Sequence, residues 1–263
     1  MSQFVDREYL LNDQYKDSTN FQTRVKALQH LGLDMSSWYH WIIDHIHRKP
    51  QLRLLEVGCG PGYLWQENKD RLPEDWDVTL SDFSPGMVQE AQRSLGDRNG
   101  HFHFQVIDVQ AIPYEAGSFD GVIANSMLYH VPDLPRALQE IRRVLKTDGH
   151  LYATTASFTP MEELLKLTAA QAWTEGTNDF RLENATEHLA EYFAQIDEYR
   201  RENRLAVGDI GPLIATMRSM IKMSPEQDAA LQQELTRATE SMQQQGITAI
   251  PFTAGLFVAS GSK

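Results

Sequence analysis

The run Leu54-Leu55-Glu56-Val57-Gly58-Cys59-Gly60-Pro61-Gly62 constrains this chain more than any other stretch. A short apolar segment of buried-strand character leads directly into three alternating glycines. A loop without β-carbons lets a ligand lie against the backbone at the carboxyl end of a sheet. Alone, such a run is equally compatible with a tight packing turn. Its setting narrows the choice. Further strand-like segments fall at 77–80, 102–107, 119–124 and 150–155, with amphipathic helices between them. Ser84-Pro85 supplies an N-cap followed by proline at the first helical position, ahead of Met87, Val88 and Ala91. Asp133 is placed to cap a helix with an apolar face of Leu134, Leu138, Ile141 and Leu145, and Thr147-Asp148-Gly149 turns into the next strand. Strands alternating with helices of this length predict an α/β fold with a doubly wound, mostly parallel sheet.

The flanks have a different texture. Residues 1–50 read as a helical cap segment, in which Trp38, Trp41, Ile42 and Ile46 recur at helical spacing before Pro50. Residues 51–158 form the α/β core. Residues 159–246 read as a helical cap insertion, with helices over 160–172 and 209–245 and one core strand near 196–201. Residues 247–263 supply a C-terminal strand that completes the sheet. A formal charge of −12 disfavours a nucleic-acid backbone or an anionic membrane as partner. A single cysteine, Cys59, excludes an intramolecular disulfide and fits a reducing compartment. With no charged leader and no apolar run of membrane-spanning length, the chain reads as soluble and cytoplasmic.

Two acidic residues extend the glycine loop into a candidate site. Asp82 ends the second strand roughly 20 residues beyond Gly62, where a carboxylate can accept from two ribose hydroxyls or cap a helix. Asp108 ends the third strand, where it can accept from an adenine amino group or hold a turn. A dinucleotide fingerprint needs glycine or alanine five positions after Gly58, but that position is Tyr63. The pattern acid-x-Gly-x-Gly-x-Gly resembles instead the first motif of the class I S-adenosylmethionine-dependent methyltransferases. The resemblance continues in order through Leu80–Met87, Asp108-Val109, Ile112-Pro113-Tyr114, Ser118-Phe119-Asp120 and 145–151, about 100 residues in all. Gln14-Tyr15-Lys16 with Asn20 and Arg24, Phe180–Asn184 and Gly255–Ala259 are similar to flanking motifs of a bacterial small-molecule branch, although Ala185 stands where glycine is expected.

That resemblance implies a seven-stranded Rossmann-like sheet with a helical cap and S-adenosylmethionine as cofactor, leaving as S-adenosylhomocysteine. It implies that Glu56, Gly58, Cys59 and Gly60 border the methionine part, Asp82 binds ribose, and Phe83 and Met87 flank adenine. Asp108 and Val109 hold the adenine edge, Asn125 lies beside the methionine moiety, and Tyr15 and Arg24 meet the cofactor carboxylate. No metal ligand set is implied.

Other residues leave two readings open. His130 follows strand four and can serve as a base or merely hold a turn. Met217, Met220 and Met223 pack a cap helix or face an adaptable pocket. Arg200, Arg201 and Arg204 form a solvated face or recognise an acidic substrate. The expected activity is methyl transfer to a small-molecule acceptor by in-line displacement. Two rivals are a macromolecular (RNA or protein) methyltransferase and a non-catalytic cofactor-binding module. Asn125-Ser126-Met127-Leu128 departs from the Asn-Pro-Pro-Tyr of base-amino methyltransferases, which favours the small acceptor.

Overall fold

In the computed structural model, residues 3–98, 100–157 and 180–263 are described. The architecture follows from alternation along β1 (Arg53–Val57). Leu55 and Val57 enter the core on one face of the sheet, while Leu54 enters the core on the other. Both faces are therefore covered, as a parallel strand requires. The remaining strands are β2 (Asp77–Asp82), β3 (Phe102–Val106), β4 (Phe119–Asn125), β5 (Leu145–Ala156), β6 (Phe193–Ala206) and β7 (Ala249–Ser262). They order as β3-β2-β1-β4-β5-β7-β6, with β1 to β5 parallel and β7 antiparallel to both neighbours. The chain reverses its direction of winding between β1 and β4, which opens a crevice at the carboxyl ends of the strands. This is the seven-stranded, mostly parallel α/β sheet expected from the sequence.

Among the described residues the α-helices of five or more residues are α1 (Thr19–His30), α2 (Met35–Asp44), α3 (Tyr63–Asn68), α4 (Pro85–Leu95), α5 (Leu134–Val144), α6 (Ala185–Leu189), α7 (Ile210–Arg218) and α8 (Pro225–Gln244). The Ser84 hydroxyl accepts from the Met87 amide at the start of α4, and the Asp133 carboxylate accepts from the Arg136 amide at the start of α5. α5 buries Leu134, Leu138, Ile141 and Val144 on the first face. On the second face, α2 and α3 bury Ile42, Ile43, Leu64 and Trp65. Full burial of one such side chain contributes roughly 1.5–3 kcal/mol.

Two local expectations change. The turn at 147–149 is absorbed into β5 as an irregularity, where pairing jumps from Phe119↔Leu145 to Gly121↔His150. The strand near 196–201 is 14 residues long, and so is its partner β7. The helix expected over 160–172 lies outside the described residues.

The length of β6 and β7 matters. β5 pairs with β7 only as far as Ala156↔Ala254, but the β6–β7 ladder continues to Ala206↔Ala249. This projecting arm carries a third core: Leu205 and Ile250 from the arm, Leu31 from the end of α1, Leu213 and Met217 from α7, and Leu231 and Leu235 from α8. A segment from the start of the chain and a late segment thus meet on the arm, above the crevice.

The N-terminal strap joins both parts. The Ser84 hydroxyl donates to the Tyr15 carbonyl (2.6 Å), and Gln14 Nε2 donates to the Ser219 carbonyl (2.8 Å). Gly86 permits the first contact, because a β-carbon there would collide with the carbonyl oxygen of Lys16.

Candidate active site

The crevice opens into a cavity of about 380 Å³ that runs from the ends of β1 to β4 up to the arm. At its floor is the glycine loop. Gly60 has φ +54°, a left-handed conformation that favours glycine, and a β-carbon there would meet no atom within 4 Å. The Gly60 amide donates to Asp82 Oδ2 (2.9 Å), and the Ser84 amide donates to Asp82 Oδ1 (2.8 Å). Each carboxylate oxygen therefore retains acceptor capacity. Burial pushes the Asp82 carboxyl above its ordinary value, against the pull of the Ser84, Gly60 and Phe83 amides.

Gly58, Cys59, Gly60, Asp82, Phe83, Met87, Asp108, Val109 and Asn125 all line this cavity, together with Tyr15, Arg24 and His130. Glu56 does not. It is 1% exposed, and its carboxylate accepts from Trp65 Nε1 (2.5 Å) beneath the sheet. Alternation explains the difference, since Glu56 shares the face of Leu54, turned toward α3. Burial pushes its carboxyl up to about 8, with Asp82 adding to the rise and Trp65 opposing it. Cys59 is buried, and burial raises its thiol well above the ordinary range, so it is a poor nucleophile.

Tyr15 stands at the centre. Its hydroxyl lies 2.8 Å from His130 Nε2 and accepts from Arg24 Nη2 (3.1 Å), while the Arg24 guanidinium also covers the Tyr15 ring. No carboxylate pairs with Arg24 among the described residues. Asn125 Oδ1 accepts from the Thr154 hydroxyl (2.8 Å), which fixes the amide at the end of β4. Ser126 follows with φ +54°, an uncommon conformation for a residue with a β-carbon, and its hydroxyl lies 3.1 Å from that of Thr154.

Arg7 lines the cavity although the sequence gives no sign of it, and Arg201 stands out there only as one of three clustered arginines. Arg7 pairs with Asp108 Oδ2 (2.5 Å), and its guanidinium lies 5.2 Å from the centre of the Phe83 ring. Burial raises the Asp108 carboxyl, but hydrogen bonds from Gln110 and Arg7 outweigh it and hold the group below its ordinary value. No local pattern around Arg7 signals a contact 101 residues away. Arg201 separates from its neighbours, because it lines the cavity while Arg200 and Arg204 are exposed. Period-two alternation carries that signal, with Arg201, Asn203 and Leu205 on one strand face. Met217 and Met220 line the same cavity as Gly60 and His130, whereas Met223 packs against the cap core. Among the described residues no helix is long and apolar enough to cross a membrane.

A doubly wound sheet with a glycine loop at its switch point and acidic residues ending β2 and β3 defines a nucleoside-binding α/β protein. Known proteins specify it further. The family described as "Methyltransferase domain" matches residues 55–153. A ubiquinone biosynthesis O-methyltransferase of Xanthomonas oryzae is 30% identical over 189 residues, covering 69% of this chain and 76% of that protein. A highly reducing polyketide synthase of Penicillium polonicum is 31% identical over 109 residues, 40% of this chain but 4% of the synthase. The chain spans 4–6% of the fungal synthases it matches and 51–57% of two other bacterial relatives. Among solved structures, a geranyl diphosphate C-methyltransferase of Streptomyces coelicolor shares the fold. Its TM-score is 0.55 at 17% identity, over 97% of this chain and 88% of that one. The chain belongs to the S-adenosylmethionine-dependent methyltransferases, and S-adenosylmethionine is its cofactor.

Proposed function

We propose that this protein transfers a methyl group to a small organic acceptor held in the cavity, and that Tyr15 and His130 together take up the proton the acceptor gives up. One observation carries the reading: the Tyr15···His130 pair lies in the single cavity that joins the glycine loop to Met217 and Met220.

The residues present fit the cofactor. The open ground over Gly60, the remaining acceptor capacity of Asp82 and the guanidinium of Arg24, which meets no carboxylate among the described residues, suit a nucleoside with an amino-acid tail. Asp82 is assigned to the ribose hydroxyls, Phe83, Met87, Val109 and Asp108 to adenine, Asn125 to the methionine part and Arg24 to its carboxylate. Glu56 acts from behind the loop by fixing Trp65. When bound, S-adenosylmethionine supplies a methyl group already activated on a sulfonium. The protein's task is alignment, for which proximity and orientation provide on the order of 7–11 kcal/mol.

The proton is the remaining problem. Arg24 donates to the Tyr15 oxygen, and with His130 in the tautomer protonated at Nδ1 the Tyr15 hydroxyl donates to Nε2. An acceptor hydroxyl facing Tyr15 passes its proton to the phenolic oxygen as the Tyr15 proton moves to His130. The imidazolium then carries the positive charge that the sulfonium loses. Atoms and charge balance without a further reagent. Tyr15 is thus the contact residue and His130 the proton store.

The test uses methyl-labelled S-adenosylmethionine with a panel of phenols, alcohols and amines. His130→Ala should lower turnover of hydroxyl acceptors by about 10²–10⁴-fold, the usual weight of general base catalysis, while calorimetry shows cofactor affinity unchanged. An unaltered rate would remove His130 from the chemistry. Absence of transfer to every acceptor class would remove the proposal.

A further inference from the structure

We infer that the acceptor is a small organic acid with an apolar skeleton, and that Arg201 anchors its anionic group. This rests on the methyl-transfer reading above, since it names the class of molecule held in the same cavity.

The charges lining the cavity carry the argument. Among the described residues three carboxylates line it, and each is engaged. Asp82 accepts from the glycine-loop and Ser84 amides, Asp108 pairs with Arg7, and Asp34 accepts from the Ser37 amide at the start of α2. Four arginines line it. Arg7 has Asp108, and Arg181 has a partner of its own. Arg24 and Arg201 pair with no carboxylate among the described residues. A half-buried guanidinium against an apolar wall is costly to keep without a counter-charge. The cofactor brings one carboxylate, which the assignment above gives to Arg24. Arg201 is left for a second anion, and the acceptor must bring it.

The wall around Arg201 describes the rest of the ligand. On β6 the cavity side reads Arg201, Asn203, Leu205, and on β7 the residues facing them are Ala254, Phe252 and Ile250. The surface passes from charged through polar to apolar along the arm. Met217, Met220 and Ile221 of the cap complete the apolar end. An amphipathic acid matches that gradient. Arg201 Nη2 already donates to the Ser37 hydroxyl (2.5 Å), which holds the fork at the wall and leaves other N–H groups for a carboxylate or phosphate.

The sheet also separates anchor from chemistry. In the order β4-β5-β7-β6, the Arg201 strand lies three spacings from β4, roughly 14 Å at about 4.8 Å per strand. The anionic group is therefore a handle held apart from the atom that is methylated.

The test is calorimetry of protein saturated with S-adenosylhomocysteine, titrated with octanoate and, separately, with 1-octanol. Octanoate should bind at least tenfold more tightly than the alcohol. Arg201→Gln should erase that preference, leaving 1-octanol affinity within about twofold. Arg201→Lys, which keeps charge but not the planar fork, should retain part of the preference. S-adenosylhomocysteine affinity should stay unchanged in both variants, showing that the site has folded. An acid that binds no better than the alcohol, or a preference that survives Arg201→Gln, would overturn the inference. Because these titrations need no turnover, their outcome is independent of whether Tyr15 and His130 perform the proton transfer. If neutral acceptors are methylated and Arg201→Gln changes nothing, the anchor fails and the methyl-transfer reading stands.

Discussion

The two ends of the cavity are built by different means. At the cofactor end, backbone amides do most of the work: Gly60 and Ser84 hold Asp82, and the Gln110 amide holds Asp108 at 2.9 Å. At the arm end, side chains from five separate segments interlock as a small apolar core around Leu31, Leu205, Leu213, Leu235 and Ile250. Backbone contacts fix a shape that point substitutions scarcely alter. An interlocked satellite core can be repacked, and methionines at its edge add adaptability. A backbone-fixed shape for the cofactor and an adjustable wall for the acceptor is the division that follows, and it can be attacked from either side.

The largest expected effect lies beneath the cofactor end. Glu56 is protonated both folded and unfolded below its ordinary value of 4.5, and ionised in both states above about 8. Between those values the folded chain keeps a proton that the unfolded chain releases, so stability falls as pH rises across the interval. The loss is on the order of 3–5 kcal/mol. Glu56→Gln should flatten that dependence, seen as urea midpoints that differ less between about pH 5 and about pH 8.5 than in the wild type. Parallel pH profiles would show that burial does not hold a proton on Glu56.

Next comes the arm. Leu235 is 1% exposed, and Leu235→Ala should cost about 2–5 kcal/mol of unfolding free energy as a cavity opens in the cap core. If the two ends are independent, S-adenosylhomocysteine affinity in the folded variant is unchanged. An affinity that falls in step with stability would merge the two regions into one unit.

How far the sequence reveals each end follows the same division. The glycine loop, Asp82, Asp108 and Asn125 sit at fixed offsets from strand ends, so local pattern is enough to find them. Arg7 and Arg201 belong to contacts between segments far apart in sequence. Arg7 meets Asp108 only because the strap is pinned by Ser84 and Gly86, and Arg201 differs from Arg200 only through the phase of β6. The family resemblance also sets Glu56 beside the methionine part of the cofactor. Motif position suggests that role, but strand alternation turns the side chain under the sheet. The projecting arm was not legible either, because nothing local shows that β6 and β7 outrun β5.

Asp82→Ala tests the cofactor end directly. Removing the carboxylate should weaken S-adenosylhomocysteine binding by about 1.5–3 kcal/mol, the range for hydrogen bonds to a charged group. It also frees the Gly60 amide, so loss of affinity with a retained melting temperature separates ribose binding from loop support. If affinity and stability fall together, Asp82 acts mainly by shaping the loop.

The smallest effect concerns the strap. The Arg7–Asp108 pair is exposed on the arginine side (49%) and less so on the aspartate side (28%), so solvent and salt screen it. Exposed pairs of this kind contribute about 0.2–1 kcal/mol. Arg7→Gln should therefore change stability by less than about 1 kcal/mol. Its effect on the cofactor follows from position, because Arg7 lies over Phe83 and beside Asp108, the two residues assigned to adenine. Losing that cover should weaken S-adenosylhomocysteine binding by a similar amount, more at low ionic strength than at high. An affinity that instead rises would mean that Arg7 competes with adenine for Asp108. The strap would then belong with the adjustable wall and not with the fixed end, which would redraw the boundary between the two regions.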